Sequence, residues 1–157
     1  MESKNVRIVG VANLCRKVKV SPRSVEKLIH ALDCMRGIRC PYGEISVAIV
    51  NDRETVRLHK EYMDDASVTD VITFVGEEHP DEPFAGEICV NVDQAKREAK
   101  SRGCDWVDEL TLYTVHGWLH LAGFRDKKPK EALLMRAAEK KALDYLSKLK
   151  VKLHILK

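Results

Sequence analysis

His116 and His120 stand four residues apart, and Asp126 follows six residues later. On an α-helix that spacing puts both imidazoles on one face, about 6 Å apart along the axis. Two ring nitrogens can then reach one ion. Gly123 comes three residues after His120, where a left-handed residue can stop the helix. The chain can then fold back and carry Asp126 towards the same point. Two His and one carboxylate make three protein ligands and leave a coordination position open for water. The expected metal ligands are therefore His116, His120 and Asp126. The expected cofactor is one divalent ion per chain, with zinc as the first choice.

The layout His-x3-His-x2-Gly-x2-Asp also matches metalloproteases of the metzincin group. Those enzymes need a Glu directly after the first His as general base. Here that position is Gly117, which cannot take a proton, so the peptidase reading is set aside. Spacing alone identifies no catalytic side chain.

Three segments in one order carry a resemblance. His116-Gly117-Trp118-Leu119-His120-Leu121-Ala122-Gly123-Phe124-Arg125-Asp126 resembles the signature H-G-x-L-H-L-x-G-Y-D-H of the YbeY-type rRNA maturation endoribonucleases. Thr69-Asp70-Val71-Ile72-Thr73-Phe74 is similar to that family's T-D-V-L-S-F. Gly86-Glu87-Ile88, followed by Ala95-Lys96-Arg97-Glu98-Ala99, is similar to its G-D-I…A-K-R-E-A. The matched segments span about residues 44 to 140. Two positions depart from the pattern. The family's third ligand is His, and here Asp126 stands at that spacing; Asp is itself a zinc ligand. The family's N-x-x-Y-R before T-D-V reads His59-Lys60-Glu61-Tyr62-Met63 here, so a cation is missing. Arg125, beside Asp126, is the expected substitute.

The resemblance implies a single-strand-specific, metal-dependent endoribonuclease acting in 16S rRNA 3′-end maturation and ribosome quality control. It implies rRNA, the small ribosomal subunit and assembly factors as partners, with no DNA expected. It also implies a mostly parallel sheet with one antiparallel strand. Asp70 and Glu87 fall inside the family-like segments, and either could orient water.

The 157 residues suit one domain with one sizeable core, residues 1–157. A hydrophobic content of 45 % and a charged content of 32 % are globular values. The five cysteines, at 15, 34, 40, 89 and 104, are odd in number and scattered, without a CxxC pair. Reduced thiols and a cytoplasmic location are expected. There is no apolar leader, and no apolar run approaches a membrane span. Net charge is +3 but uneven: residues 125–157 hold 11 Lys/Arg against 4 Asp/Glu, and residues 1–124 hold 16 against 20. A basic segment beside a metal site suits phosphate. Arg125, Lys127 and Lys128 are the expected RNA contacts; a solvated basic helix is the alternative.

The elements that must position these residues read as an alternation. Residues 6–12 form a strand. Ser21-Pro22 opens a helix with Val25, Leu28, Ile29, Leu32 and Met35 inward, closed by Gly37. Residues 44–50 form a strand, and Asn51 to Glu54 resembles a capping box opening a helix through Tyr62. His30 and Cys34 read as structural; His59 reads as a surface or packing residue, with a fourth-ligand role as the alternative. Residues 63–69 form a polar loop and Val71 to Phe74 a strand. Residues 76–85 hold four acidic residues and two Pro, an acidic surface loop that includes His79. Gly86 to Val92 is the fourth strand, and Asp93 caps a helix ending at Gly103. Asp105 starts the helix of the histidine pair. Residues 130–149 form the last helix, with Leu133, Leu134, Ala138, Leu143 and Leu146 inward. Val151 to Leu156 is an added strand or a docked tail, and His154 is incidental. The order predicts a single α/β domain with about four strands covered by helices.

Three other functions fit the same residues. One is a non-catalytic ribosome-assembly factor with a structural metal. Another is a small metallohydrolase. The third is an Fe(II) site, since two His and one carboxylate also suit that ion.

Overall fold

A computed structural model describes residues 6–63, 69–76 and 83–157, without the side chains of residues 62 and 63. The elements run β1 (Val9–Asn13), β2 (Lys19–Val20), α1 (Pro22–Asp33), β3 (Glu44–Val50), α2 (Asp52–Met63), β4 (Val71–Val75), β5 (Phe84–Asn91), α3 (Val92–Arg102), α4 (Trp106–Leu121), α5 (Pro129–Leu149) and β6 (Ile155–Leu156). Four strands form one sheet in the order β1-β3-β5-β4. β1, β3 and β5 are parallel, and β4 is antiparallel to β5. This is the expected mixed α/β sheet. The final residues do form a strand: β6 pairs with β2, a two-residue partner that the sequence pattern does not reveal.

Side chains alternate across the sheet and sort the helices onto two faces. Ile45, Val47, Ile49, Ile88 and Val90 join α1, α4 and α5 residues in the main core. Ala48, Val50, Ile72 and Cys89 point the other way and meet Leu58 of α2. Trp118, the largest fully buried side chain, anchors α4 in the main core. Its indole N–H donates to Asp33 Oδ1 at 3.2 Å. Asp33 in turn pairs with Arg7 at 2.7 Å. Arg7 also donates to the carbonyls of Pro41 and Gly43, and His30 Nε2 meets the Arg7 carbonyl at 2.9 Å. One charged network thus ties the chain before β1 to α1, to the turn before β3, and to α4. His30 has the structural role expected of it.

Capping explains most helix starts. Ser21 Oγ accepts from the Ser24 amide, and Pro22 follows as the first helical residue. Asn51 Oδ1 accepts from the Glu54 amide, while Glu54 pairs with Arg57. Asp105 accepts from the Val107 amide. Two expectations need correction. The helix at residues 92–102 is capped by Asn91, whose side chain accepts from Asp93 and Gln94; Asp93 sits in the first turn, and Val92 belongs to the helix. On α5 the inner face is Met135, Ala138, Ala142 and Leu146, and Leu133 and Leu134 are each 64 % exposed. Pro129 starts that helix, and Met135 takes the core position that Leu133 and Leu134 leave. Asp64-Asp65, His79 and most of the acidic loop lie outside the described residues, as does the side chain of Met63.

All five cysteines are free thiols. Burial pushes the Cys40 and Cys89 thiols up to about 12. No helix among the described residues is long and apolar enough to cross a membrane.

Candidate metal centre

The three residues singled out by spacing do converge, at the carboxyl end of α4. His116 Nε2 and His120 Nε2 lie 3.0 Å apart. Asp126 Oδ2 lies 3.1 Å from the first and 3.5 Å from the second. Four ligands about 2.0–2.1 Å from a zinc ion have mutual separations of about 3.3–3.4 Å. The observed triangle is close to one face of that tetrahedron. No other group of three or more candidate ligands is found among the described residues.

The turn that delivers Asp126 follows from Gly123. Its φ is +103°, a conformation that side-chain-bearing residues rarely adopt. The Gly123 amide donates to the His120 carbonyl and the Phe124 amide to the Leu119 carbonyl, the two bonds of a Schellman ending. The reversed chain then presents the Phe124 carbonyl to His120 Nδ1 at 3.0 Å. A carbonyl only accepts, so Nδ1 carries the proton and Nε2 keeps its lone pair for the cluster. His116 is held in the same sense by a residue that spacing does not reveal. Glu139 of α5 sends Oε2 to within 2.6 Å of His116 Nδ1. Both imidazoles therefore aim Nε2 at the point shared with Asp126. Such carboxylate–imidazole pairs fix ring orientation and raise ligand basicity. The His116 pKa lies above its ordinary value: burial pulls it down, but the Glu139 hydrogen bond and the Glu139, Asp126 and Asp70 charges outweigh that. The donor set, the fixed ring orientations and the separations all fit a divalent cation.

Gly117 has a second role. A Cβ there would fall 2.4 Å from Ile88 Cγ2, so α4 rests directly on β5 at this residue. The position faces the sheet, away from the cluster. That is why no base can stand next to His116 in the chain.

The cluster lines a crevice of about 590 Å³. Asp70, His59, Arg125 and Lys127 also line it, as do residues of β4. Asp70 Oδ1 is held by the Val71 amide at 2.8 Å and the Thr69 hydroxyl at 3.4 Å. Of the two family-like carboxylates, only Asp70 reaches this crevice. Glu87 lies on β5 beside Cys89, whose thiol it helps to raise, and is not among the crevice residues. Lys128 is exposed at the start of α5, where its amide donates to Glu131, and is likewise outside the crevice lining. Tyr113 of α4 is 4 % exposed, its hydroxyl has no partner among the described residues, and its pKa is raised by burial and by Asp70 and Glu109.

The family profile described as Endoribonuclease YbeY matches residues 11–147. Endoribonuclease YbeY of Bacillus licheniformis is 33 % identical over 130 residues, covering 76 % of this chain and 82 % of that protein. The protein of the same description from Protochlamydia amoebophila is 30 % identical over 146 residues, covering 92 % and 96 %. In fold, the solution structure of TM1509 from Thermotoga maritima is similar with a TM-score of 0.60 at 23 % identity, covering 91 % of this chain and 92 % of that one. With the profile spanning most of the sequence, the chain belongs to the Endoribonuclease YbeY family.

Proposed function

We propose that this protein is a metal-dependent endoribonuclease that cuts single-stranded RNA, acting in 16S rRNA 3′-end maturation and ribosome quality control in the cytoplasm. Its partners on this reading are rRNA, the small ribosomal subunit and assembly factors. The observation that carries the reading is the triangle of three donor atoms 3.0, 3.1 and 3.5 Å apart in a crevice edged by cations. Family membership supplies the substrate class.

His116 Nε2, His120 Nε2 and Asp126 Oδ2 hold the ion, and zinc suits two imidazoles and a carboxylate. When bound, a divalent ion lowers the pKa of water and polarises a phosphoryl oxygen. Glu139 keeps the proton of His116 on Nδ1 and so keeps Nε2 available. Arg125 and Lys127 bind phosphates flanking the scissile bond. Among the described residues Asp70 is the one crevice carboxylate outside the cluster, and its Oδ1 is already committed to Val71 and Thr69, so Oδ2 is the atom that takes a proton from water. An open crevice edged by cations suits a flexible single strand, whose phosphates can follow the groove.

The test is cleavage of a 16S-derived transcript extending past the mature 3′ end, with a duplex of the same sequence alongside. Chelation should abolish cutting of the single strand, one divalent ion per chain should restore it, and the duplex should resist. A chelated protein that cuts as before would overturn the reading. The departure at Met63, where the family carries Arg, favours one alternative: a non-catalytic assembly factor whose metal is structural. That alternative predicts transcript binding without cutting, and unfolding when the metal is removed.

A further inference from the structure

A second crevice, of about 790 Å³, lies away from the cluster at the carboxyl ends of β1 and β3. Its position follows from the topology. β1 leads into α1 on the main-core face of the sheet, and β3 leads into α2 on the opposite face. The two chains part in opposite directions and leave a gap between them. In open α/β sheets such a switch point is where ligands sit.

The charges around this gap are not balanced. Arg16, Lys17, Arg53 and Arg57 line it against two carboxylates, Glu54 and Asp93. Both carboxylates are engaged: Glu54 with Arg57 at 3.1 Å, and Asp93 Oδ2 with the Asp52 amide at 3.0 Å. Arg57 also reaches Glu61 at 3.0 Å. Arg16, Lys17 and Arg53 make no ion pair among the described residues. They are exposed side chains in a part of the chain, residues 1–124, where acidic residues outnumber basic ones 20 to 16. Three uncompensated cations around one crevice therefore depart from the local background.

We infer that this crevice binds a backbone phosphate of an RNA strand whose scissile bond lies at the metal centre, which rests on the endoribonuclease reading above. Two features favour a phosphate of a chain over a free nucleotide. Among the described residues the lining holds no aromatic side chain on which a base could stack. The crevice is also a neighbour of the metal-centre crevice. Arg53 and Arg57 of α2 line the first and His59 of α2 lines the second; Arg57 and His59 project about 200° apart around the helix, so the two openings flank α2 on opposite sides, about one helix diameter, 10–12 Å, apart. A strand crossing α2 engages both openings, whereas a dinucleotide fills only one. Such binding positions the strand without reading its sequence.

The experiment uses the metal-loaded full chain and two single-stranded 2′-O-methyl probes: an oligomer of about 12 nucleotides, within the usual single-strand footprint, and a dinucleotide. Anisotropy is read across a salt series for wild type, for Arg16→Gln/Lys17→Gln/Arg53→Gln, and for a control, Arg23→Gln/Lys27→Gln/Lys100→Gln. The control removes the same charge from exposed sites elsewhere. The expected result is an oligomer affinity about tenfold weaker in the crevice variant, with the salt slope lower by about 0.7 for each phosphate that is no longer neutralised. Dinucleotide affinity and the melting temperature should match wild type, and the control should weaken far less. Unchanged oligomer binding in the crevice variant, or an equal weakening in the control, would overturn the inference and leave the endoribonuclease reading standing. Displacement of the oligomer by AMP as efficiently as by unlabelled oligomer would overturn the RNA strand as occupant. Wild type that neither binds nor cuts RNA would overturn both.

Discussion

Replacing Gly117 by Ala tests how the histidine helix is seated. In an exposed helix the change stabilises by about 1 kcal/mol, because Ala is the better helix former. Here the new Cβ meets Ile88 at 2.4 Å (Cγ2), 3.2 Å (Cγ1) and 3.3 Å (Cβ). Carbon contacts are comfortable at about 3.5–4.0 Å, so α4 and β5 must part by about an ångström or Ile88 must rotate. Ile88 is fully buried and β-branched, so rotation is restricted. Overpacking of this kind costs about 1–3 kcal/mol. Set against the helix gain, the net effect is a loss of roughly 1 kcal/mol, within a range of about 0–2. The sign should reverse when the obstacle is removed. Ile88→Ala alone costs about 2–5 kcal/mol through its cavity. In that background Gly117→Ala keeps its helix gain, fills part of the cavity, and stabilises by about 1 kcal/mol. Urea unfolding of the four proteins measures a coupling of about 2 kcal/mol. Metal affinity should fall in the single variant, since α4 carries His116 and His120 while Asp126 lies beyond the turn at Gly123. If Gly117→Ala stabilises the wild-type background by about 1 kcal/mol, the packing argument is wrong.

Removing the Glu139 carboxylate with Glu139→Leu should weaken metal binding by about 10–100-fold in a competition titration, with Glu139→Gln weakening it less; equal affinity for all three proteins would show that His116 needs no external support. Arg7→Ala should cost about 2 kcal/mol in urea unfolding, less than the roughly 3–5 kcal/mol for breaking a fully buried pair, because Asp33 is partly exposed and keeps the Trp118 donor; a loss under about 1 kcal/mol would demote the network to a surface contact. The Arg97 hydrogen bonds, with help from Asn91, hold the Asp52 carboxyl below its ordinary value against partial burial. A depressed carboxyl contributes stability above its unfolded pKa, about 3.9, that is lost as pH falls through the folded value. The stability gap between wild type and Arg97→Leu should therefore be constant near neutrality and close below about pH 4; a gap that widens in acid would refute this.

The site is legible in the sequence because its decisive parts are local. A pair of histidines one turn apart, and a glycine that ends the helix, are fixed by helix geometry. Asp126 is carried in by the turn they create. Glu139 is not legible, because it comes from α5, and only packing brings α5 against α4. The same holds for Asp33 beneath Trp118, 85 residues away in the chain. The parallel core strands are legible as apolar runs. β2 is not, because its two residues become a strand only when the C-terminal tail arrives. On α5 residue type misleads: Leu133 and Leu134 are strongly apolar, yet the first turns of that helix run along the surface. Residue type suggests Glu87 as readily as Asp70. Position along the sheet separates them: Glu87 lies within β5 beside Cys89, whereas Asp70 stands just before β4, at the crevice.

The most direct test of the central claim is metal content by elemental analysis of wild type and Asp126→Ala, with cleavage of the 16S-derived single strand assayed on the same preparations. About one divalent ion per chain is expected in wild type, with joint loss of metal and cleavage in the variant, given three protein ligands of which one is removed. Full metal occupancy and undiminished cleavage in Asp126→Ala would contradict it.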